Sequence, residues 1–231
     1  MKRFIRLLAC LICACAASAA VAAAPPAPGP TVYVQVWLGA LNTDDQSWKV
    51  NDPTSGDSAA GDLGTLPFGG GAGQLLWGSG VWQIGYEGGG VGTWKTGTTD
   101  FRGASNGGTS VNISFENRFL MLGVFMGGVV AANLGHNARI YVAGGPSLTW
   151  ARLEDDGNGN QSTQSDVIVL DGAENDVSFV AYGRAGIEFV LDNGFAFGAS
   201  VRYADDEFDF GAGGKLKFDE PMWLLTLGAR L

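Results

Sequence analysis

Residues 192–203 read DNGFAFGASVRY, and this stretch decides the fold. Its first three residues are a strong hairpin signal, because asparagine and glycine accept the left-handed backbone that tight turns need. From Phe195 to Tyr203 every second residue is apolar or aromatic, which is the period of a β-strand with one apolar face. Arg202 falls on the opposite face. The stretch therefore predicts a hairpin whose second strand is apolar on one side and polar on the other.

The same alternation recurs along the chain and predicts eight strands. We place them at 31–41, 68–77, 82–87, 111–130, 138–153, 177–191, 195–203 and 222–231. The connections alternate between long and short. The long ones lie at about 42–67, 91–110, 154–176 and 204–221, and the short ones at 78–80, 134–137 and 192–194. This rhythm is typical of an all-β, eight-stranded antiparallel transmembrane up-and-down β-barrel, with long extracellular loops and short periplasmic turns.

The N-terminus predicts a secretory signal. Lys2, Arg3 and Arg6 precede an apolar stretch at 7–17, and small residues follow. We predict a cleaved signal peptide at 1–22, a Pro-rich periplasmic lead-in at 23–30 and a barrel domain at 31–231. The alternatives are a retained membrane anchor and a lipoprotein, since residues 7–10 resemble a lipobox.

Composition excludes several classes of function. All three cysteines lie in the signal segment, so the mature chain is predicted to have neither disulfides nor thiol chemistry. The chain has 14 Lys and Arg against 23 Asp and Glu; removing the three basic residues of the signal leaves 11, a net charge of −12. No basic patch favours nucleic acid. The long connections hold five, one, seven and six acidic residues, 19 of the 23.

The two faces of the strands distinguish a membrane barrel from a soluble, lipocalin-like one. The polar faces carry charges at membrane depth, which predicts that they line a filled lumen where each charge needs a partner. We predict a barrel-lumen charge network of Glu87, Glu116, Arg118, Arg139, Arg184, Glu188, Arg202 and Arg230, joined by Gln35, Gln74 and Gln83. Aromatics on the apolar faces concentrate near strand ends and predict two interfacial girdles. They are Trp77, Trp82, Phe189 and Phe195 by the short turns, and Trp150, Tyr203 and Trp223 by the long loops.

The hairpin turn Asn193-Gly194, the outward Phe197 and Val201, and the closing alternation Leu225–Leu231 resemble the small OmpA/OmpX-type outer-membrane barrels. The resemblance implies a bacterial outer-membrane location, contact with outer-membrane lipids and lipopolysaccharide, and insertion by the barrel-assembly machinery. Such barrels usually end in an aromatic residue, whereas this chain ends in Leu231, which weakens the expected insertion signal.

No pattern indicates an enzyme, a cofactor or a metal site. Small barrels include lipid A deacylases with a histidine and a serine near the outer leaflet, but His136 is predicted in a short periplasmic turn. Residues 156–160 resemble the start of a calcium loop, yet Gln161 and Val167 stand where glycine and glutamate are required. Residues 205–207 (Asp-Asp-Glu) are interpreted as a solvated charge run. Weak divalent-cation binding to the acidic loops remains open.

Three hypotheses for function follow. The first is a non-enzymatic outer-membrane barrel with a structural or surface-interaction role. The second is a narrow, porin-like pore or small hydrophobic-solute channel, with Leu120, Leu122 and Val124 facing inward as an apolar lining. The third is a lipid A-modifying enzyme.

Overall fold

The structure is a computed structural model, in which side chains are present. It describes residues 30–43, 48–51, 58–61, 63–78, 80–104, 110–135, 137–155, 173–211 and 214–231. Within these ranges no helix is long and apolar enough to cross a bilayer.

The described residues form twelve β-strands. They are β1 Thr31–Asn42, β2 Trp48–Asn51, β3 Ser58–Gly61, β4 Thr65–Trp77, β5 Trp82–Ala104, β6 Ser110–Leu134, β7 Ala138–Asp155, β8 Ala173–Val190, β9 Phe195–Ala204, β10 Asp206–Asp209, β11 Lys215–Phe218 and β12 Met222–Arg230.

Eight of these strands close into a ring. Along the ring the order is β5-β4-β1-β12-β9-β8-β7-β6, and β6 pairs with β5 to complete it. Every neighbouring pair is antiparallel. Closure gives each strand of the ring two neighbours, which a barrel in lipid needs because an open edge would leave peptide groups unpaired. The predicted eight-stranded antiparallel barrel is confirmed.

The hairpin at 192–194 is also confirmed. The amide of Leu191 donates to the carbonyl of Phe195 at 2.7 Å, and the amide of Gly194 donates to the carbonyl of Leu191 at 2.9 Å. Gly194 has a φ of 86°, in the left-handed region that glycine adopts without steric cost. The turn is therefore held at the position where the sequence carries its glycine.

The predicted long connections are shorter than expected. β5 and β6 pair from Trp82 with Ala132 out to Ala104 with Ser110, so the loop predicted at 91–110 is wrong except for 105–109, which lie outside the described residues. Its glycines suggested a loop, yet strand glycines here make room for neighbours. A Cβ on Gly70 would lie 2.5 Å from the carbonyl oxygen of Gly90 and 2.9 Å from the Trp37 ring nitrogen.

The first and fourth connections contain further strands. β3 pairs with the outer end of β5, β2 with β3, β11 with β2 and β10 with β11. We call β2, β3, β10 and β11 the outer sheet. It continues the barrel wall past the ring, so the predicted loops at 42–67 and 204–221 are wrong over these strands.

The outward faces are apolar and the inward faces largely polar. Leu225 and Ile84 are 73% and 63% exposed on the outside, whereas Glu87 is 3% exposed inside. The predicted girdle positions Trp77, Trp82 and Phe195 at the short-turn rim, and Trp223 at the long-connection rim, are exposed as well. This is the reverse of a soluble barrel and matches a barrel whose outer face contacts lipid.

The register of β6 differs from the prediction. Phe119, Met121 and Phe125 face inward and are buried, whereas Leu122 and Val124 face outward, Val124 with 61% exposure. The predicted inward lining by Leu120, Leu122 and Val124 is therefore wrong, and so is the inward placement of Arg118. Both faces of β6 are apolar in this segment, so a period of two cannot tell the inside from the outside.

Candidate functional site: the filled lumen

Charged side chains meet in the middle of the lumen. Glu87 on β5, Arg139 on β7, Arg184 and Glu188 on β8, and Arg202 on β9 are all buried. Each lies at an inward position of a strand whose outward positions are apolar. The alternation of the sequence alone thus brings five of the eight predicted network residues together.

Arg139 and Glu188 form the first ion pair. They lie directly opposite each other across β7 and β8. The Nε and Nη2 of Arg139 donate to one oxygen of Glu188 at 3.2 and 2.8 Å. The amide nitrogen of Gln35 donates to the other carboxylate oxygen at 2.6 Å, so both oxygens of Glu188 have partners.

Arg184 and Glu87 form the second pair, between β8 and β5. The amide nitrogen of Gln74 donates to Glu87 at 2.9 Å. The hydroxyl of Tyr182 donates to the other oxygen of the same carboxylate at 2.8 Å. Glu87 is thereby also satisfied on both oxygens.

Two glutamines join the pairs into a closed circuit. Gln35 donates to Glu188 and accepts from Arg184 Nη2 at 2.9 Å. Gln74 donates to Glu87 and accepts from Arg139 Nη2 at 2.9 Å. We call these six residues the polar ring: Gln35, Gln74, Glu87, Arg139, Arg184 and Glu188. Its members come from β1, β4, β5, β7 and β8, so it ties distant walls of the barrel together.

Aromatic rings cover the two guanidinium groups. The Arg139 guanidinium lies 3.9 Å from the Tyr33 ring centroid, and that of Arg184 lies 4.5 Å from the ring of Trp37. Tyr141 lies 5.1 and 4.9 Å from the two. Such contacts attract a cation to the face of the ring and take the place of water. Gly186 makes this possible, since a Cβ there would lie 2.7 Å from the Tyr141 ring.

Arg202 lies one layer farther out. It pairs across the strands with Arg184 and donates to the hydroxyl of Ser147 at 3.2 Å. Its guanidinium lies 5.2 Å from the ring of Phe125 and 4.8 Å from that of Tyr182. Arg202 therefore marks the boundary between the polar ring and the apolar residues above it.

The outer end of the lumen is apolar. Residues of the outer sheet and its flanks fold into the mouth of the barrel, where they pack on barrel residues such as Phe119 and Leu224. We call these side chains the apolar cap: Trp48, Phe208, Phe210, Leu216 and Phe218. Phe218 stacks against Phe119 of the wall at 5.7 Å and against Phe208 at 6.1 Å. The cap thus joins the outer sheet to the barrel interior.

Asp206 is buried beneath the cap, so the interpretation of 205–207 as a solvated charge run is wrong at this position. Burial raises the pKa of its carboxyl group, against the opposing effects of a hydrogen bond from Ser178 and the charge of Arg202. Asp205 and Glu207 are exposed, as predicted. The difference follows from the β10 alternation, which turns every second residue inward.

The comparisons with known proteins agree with this architecture. The family model described as outer membrane protein beta-barrel domain matches residues 7–230. The chain belongs to this family. It is a β-barrel protein of the bacterial outer membrane. No curated protein matches its sequence.

Solved structures share the barrel fold. The outer membrane protein OprG from Pseudomonas aeruginosa is 12% identical, with a TM-score of 0.53, over 88% of this chain and 96% of that chain. Ail, the attachment invasion locus protein of Yersinia pestis, is 14% identical, with a TM-score of 0.47, over 88% of this chain and 99% of that one. At these identities, the likeness to OprG establishes the fold alone.

Three residues of the predicted network do not join the ring of this outer-membrane barrel. Arg118 lies on the outward face and forms an ion pair with Glu154 at 3.5 Å. Arg230 is exposed at the short-turn rim. The side chain of Glu116, the turn residue His136 and the calcium-like stretch at 156–160 lie outside the described residues. Over the part of the chain that is described, no three acidic, histidine or cysteine side chains cluster as metal ligands.

Sequence reasoning missed the cap and Tyr182. The signal for the cap was present, because Phe208 and Phe210, like Leu216 and Phe218, alternate with polar residues inside a segment interpreted as loop. Tyr182 carried no such signal, since its role depends on the lateral distance to Glu87 across the lumen.

The outer surface of the cap is covered by exposed ion pairs. Lys215 lies 3.6 Å from Glu207 and 3.4 Å from Asp209. Lys217 lies 3.4 Å from Asp205 and 3.0 Å from Asp219. Hydrogen bonds to Asp209 and Asp219 raise the pKa of the two lysines. In solvent such pairs add little stability, but they keep the extracellular end of the barrel hydrated.

Proposed function

We propose that this protein is a closed, non-conducting outer-membrane barrel with a structural or surface-interaction role at its extracellular end. The observation that carries the proposal is the filling of the lumen by two successive layers, the polar ring and the apolar cap. A ring of paired and hydrogen-bonded charges excludes bulk water, because each group already has its partners. An eight-stranded barrel leaves space for side chains or one small ligand.

The role at the surface is supported by the outer sheet. Its alternating residues divide between a buried apolar face and an exposed face rich in lysine and carboxylate. A rigid sheet held on a buried core presents a fixed surface to the medium. The proposed partners of the barrel are outer-membrane lipids, lipopolysaccharide and the barrel-assembly machinery, and divalent cations could associate weakly with its acids. No enzymatic role is proposed.

Planar-bilayer recording tests the closed lumen. Purified full-length mature protein should give no sustained conductance, since ions would have to cross the polar ring. Large and stable single-channel steps would contradict the proposal. The matched control is the Glu87→Gln variant, which removes one charge of the ring and should increase the frequency of brief current events.

A second candidate, a channel for small hydrophobic solutes, is favoured by one observation. The outer half of the lumen is lined by apolar side chains such as Phe68, Phe119 and Phe125, with the cap above them. A solute could enter there if the cap moved. Cells that lack the protein should then take up such solutes more slowly, and unchanged uptake over a broad panel would reject this candidate.

A further inference from the structure

A second feature of the barrel lies on its outer face, at the extracellular rim of β6 and β7. Here an open cavity of about 320 Å³ is lined by Arg118, Leu120, Trp150, Arg152 and Glu154. None of these residues belongs to the polar ring or the cap. Their positions are on the side of the barrel that contacts the membrane and its boundary.

The register of the strands sets the height of this cavity. Leu122 pairs with Trp150 across β6 and β7, Leu120 with Arg152 one step farther out, and Arg118 with Glu154 beyond that. The outward surface thus changes from apolar to aromatic to charged over the last few residues of the wall.

A second tryptophan marks the same boundary. Trp94 on β5 pairs with Leu120 and is exposed. Tryptophans concentrate at the level of lipid headgroups. The two arginines therefore lie where the headgroups of the outer leaflet begin.

The charges of the cavity favour an anion. Arg118 and Arg152 share the single carboxylate of Glu154, with Arg118 Nη1 at 3.5 Å from one oxygen and Arg152 Nε at 2.6 Å from the other. Two cations and one anion leave a net charge of +1. By contrast, Lys215 and Lys217 on the outer sheet each lie against two carboxylates.

The arginines are also accessible. Their side chains are 55% and 41% exposed, and exposed ion pairs contribute little. Replacing part of their contact with Glu154 by a phosphate therefore costs little. Arginine binds phosphate through two parallel N–H donors, which lysine cannot do.

We propose that this cavity binds a phosphate group of the lipopolysaccharide in the outer leaflet. Arg118 and Arg152 donate to the phosphate oxygens, while Leu120 and Trp150 contact the sugar and the first carbons of the acyl chains. The inference uses only the outward face, so it can fail while the lumen remains closed, and the reverse.

Native mass spectrometry of the full mature protein in detergent micelles tests the site. The probes are diphosphorylated lipid A and the same lipid after enzymatic removal of its phosphates. The variants are Arg118→Gln/Arg152→Gln and, as a control with the same loss of charge at the same end of the barrel, Lys215→Gln/Lys217→Gln. The thermal unfolding midpoint verifies that each variant is folded.

The wild type should bind diphosphorylated lipid A about tenfold more tightly than the double arginine variant does, as expected from the loss of charge-assisted hydrogen bonds. The lysine variant should bind like the wild type, and Glu154→Gln should bind more tightly. Equal binding by the arginine variant, or equal binding of the dephosphorylated lipid to the wild type, would overturn the proposal.

Discussion

The inner and outer parts of the lumen are filled by different chemistry. The polar ring consists of two buried ion pairs joined by Gln35 and Gln74, whereas the apolar cap consists of aromatic and aliphatic side chains supplied by the outer sheet. The ring belongs to the barrel strands themselves and connects their walls. The cap is attached to strands that continue past the membrane. The two layers should therefore respond differently to mutation, the ring through the whole barrel and the cap through its own opening.

The largest effect is expected from breaking one ion pair of the ring. Glu87→Gln leaves Arg184 buried without its counter-charge, which should lower the free energy of unfolding by about 3–5 kcal/mol. Urea unfolding in lipid vesicles measures it. Removing both charges with Glu87→Gln/Arg184→Met should recover much of the loss, because no buried charge is left unpaired. A change below about 1 kcal/mol in the single variant would show that water reaches the ring.

A cap substitution should act locally. Phe208→Ala removes a buried ring and should destabilise the closed cap by about 3 kcal/mol. The loss is limited by the local stability of the outer sheet, since β10 and β11 can open without the barrel. Hydrogen exchange should therefore become faster in β10 and β11, with amides of β8 and β12 unchanged. Equal acceleration throughout would mean that cap and ring form one cooperative unit.

The packing around the ring can be tested with a single methyl group. Gly186→Ala places a Cβ 2.7 Å from the Tyr141 ring, so the ring must shift away from both arginines, at a cost of about 1–3 kcal/mol. Gly183→Ala on the same strand is the control, because a Cβ there has nothing within 4 Å. Equal unfolding free energies for the two variants would contradict the close packing of Tyr141.

Asp206 makes the stability of the cap depend on pH. Burial raises the pKa of this carboxyl group in the folded protein, so folding favours its protonated form. The stabilising contribution is complete below the ordinary pKa and is lost as the pH rises through the raised value. Asp206→Asn should therefore gain stability relative to the wild type as the pH increases above 4. The exposed neighbour Asp205→Asn should show no such trend, and a parallel trend in both would reject this cause.

The smallest effect is expected on the outer surface. Lys217→Gln breaks its contacts with Asp205 and Asp219, yet exposed pairs contribute little, so the urea midpoint should not change. A clear decrease would place the surface ion pairs among the forces that hold the cap closed.

The sequence predicted the barrel and most of its ring, for a physical reason. On β1, β5, β7, β8 and β9 the inward positions are polar and the outward ones apolar, so the period of two identifies Gln35, Glu87, Arg139 and Glu188 directly. On β6 both faces are apolar next to the cap, and the same rule assigned Arg118 to the wrong side.

The cap was not predictable in this way. Its strands are four residues long and interrupted by glycine and acidic residues, which favour a loop. Only their pairing with the end of β5 and with each other makes them strands. Whether Phe208 and Phe218 meet in the mouth of the barrel depends on closure of the whole ring, which no local pattern contains.

Access to the lumen is the most direct test of this account. The mature chain is predicted to lack cysteine, so Ser200→Cys and Thr226→Cys each introduce one thiol at a buried inward position. Ser200 forms a side-chain hydrogen bond with Tyr141 and so reports on the level of the ring. The exposed Asp219→Cys is the control, and the rate of modification by a small charged methanethiosulfonate is measured in bilayers. A filled lumen predicts rapid labelling of residue 219 and almost none at 200 and 226, whereas comparable rates at all three would show that water fills the barrel.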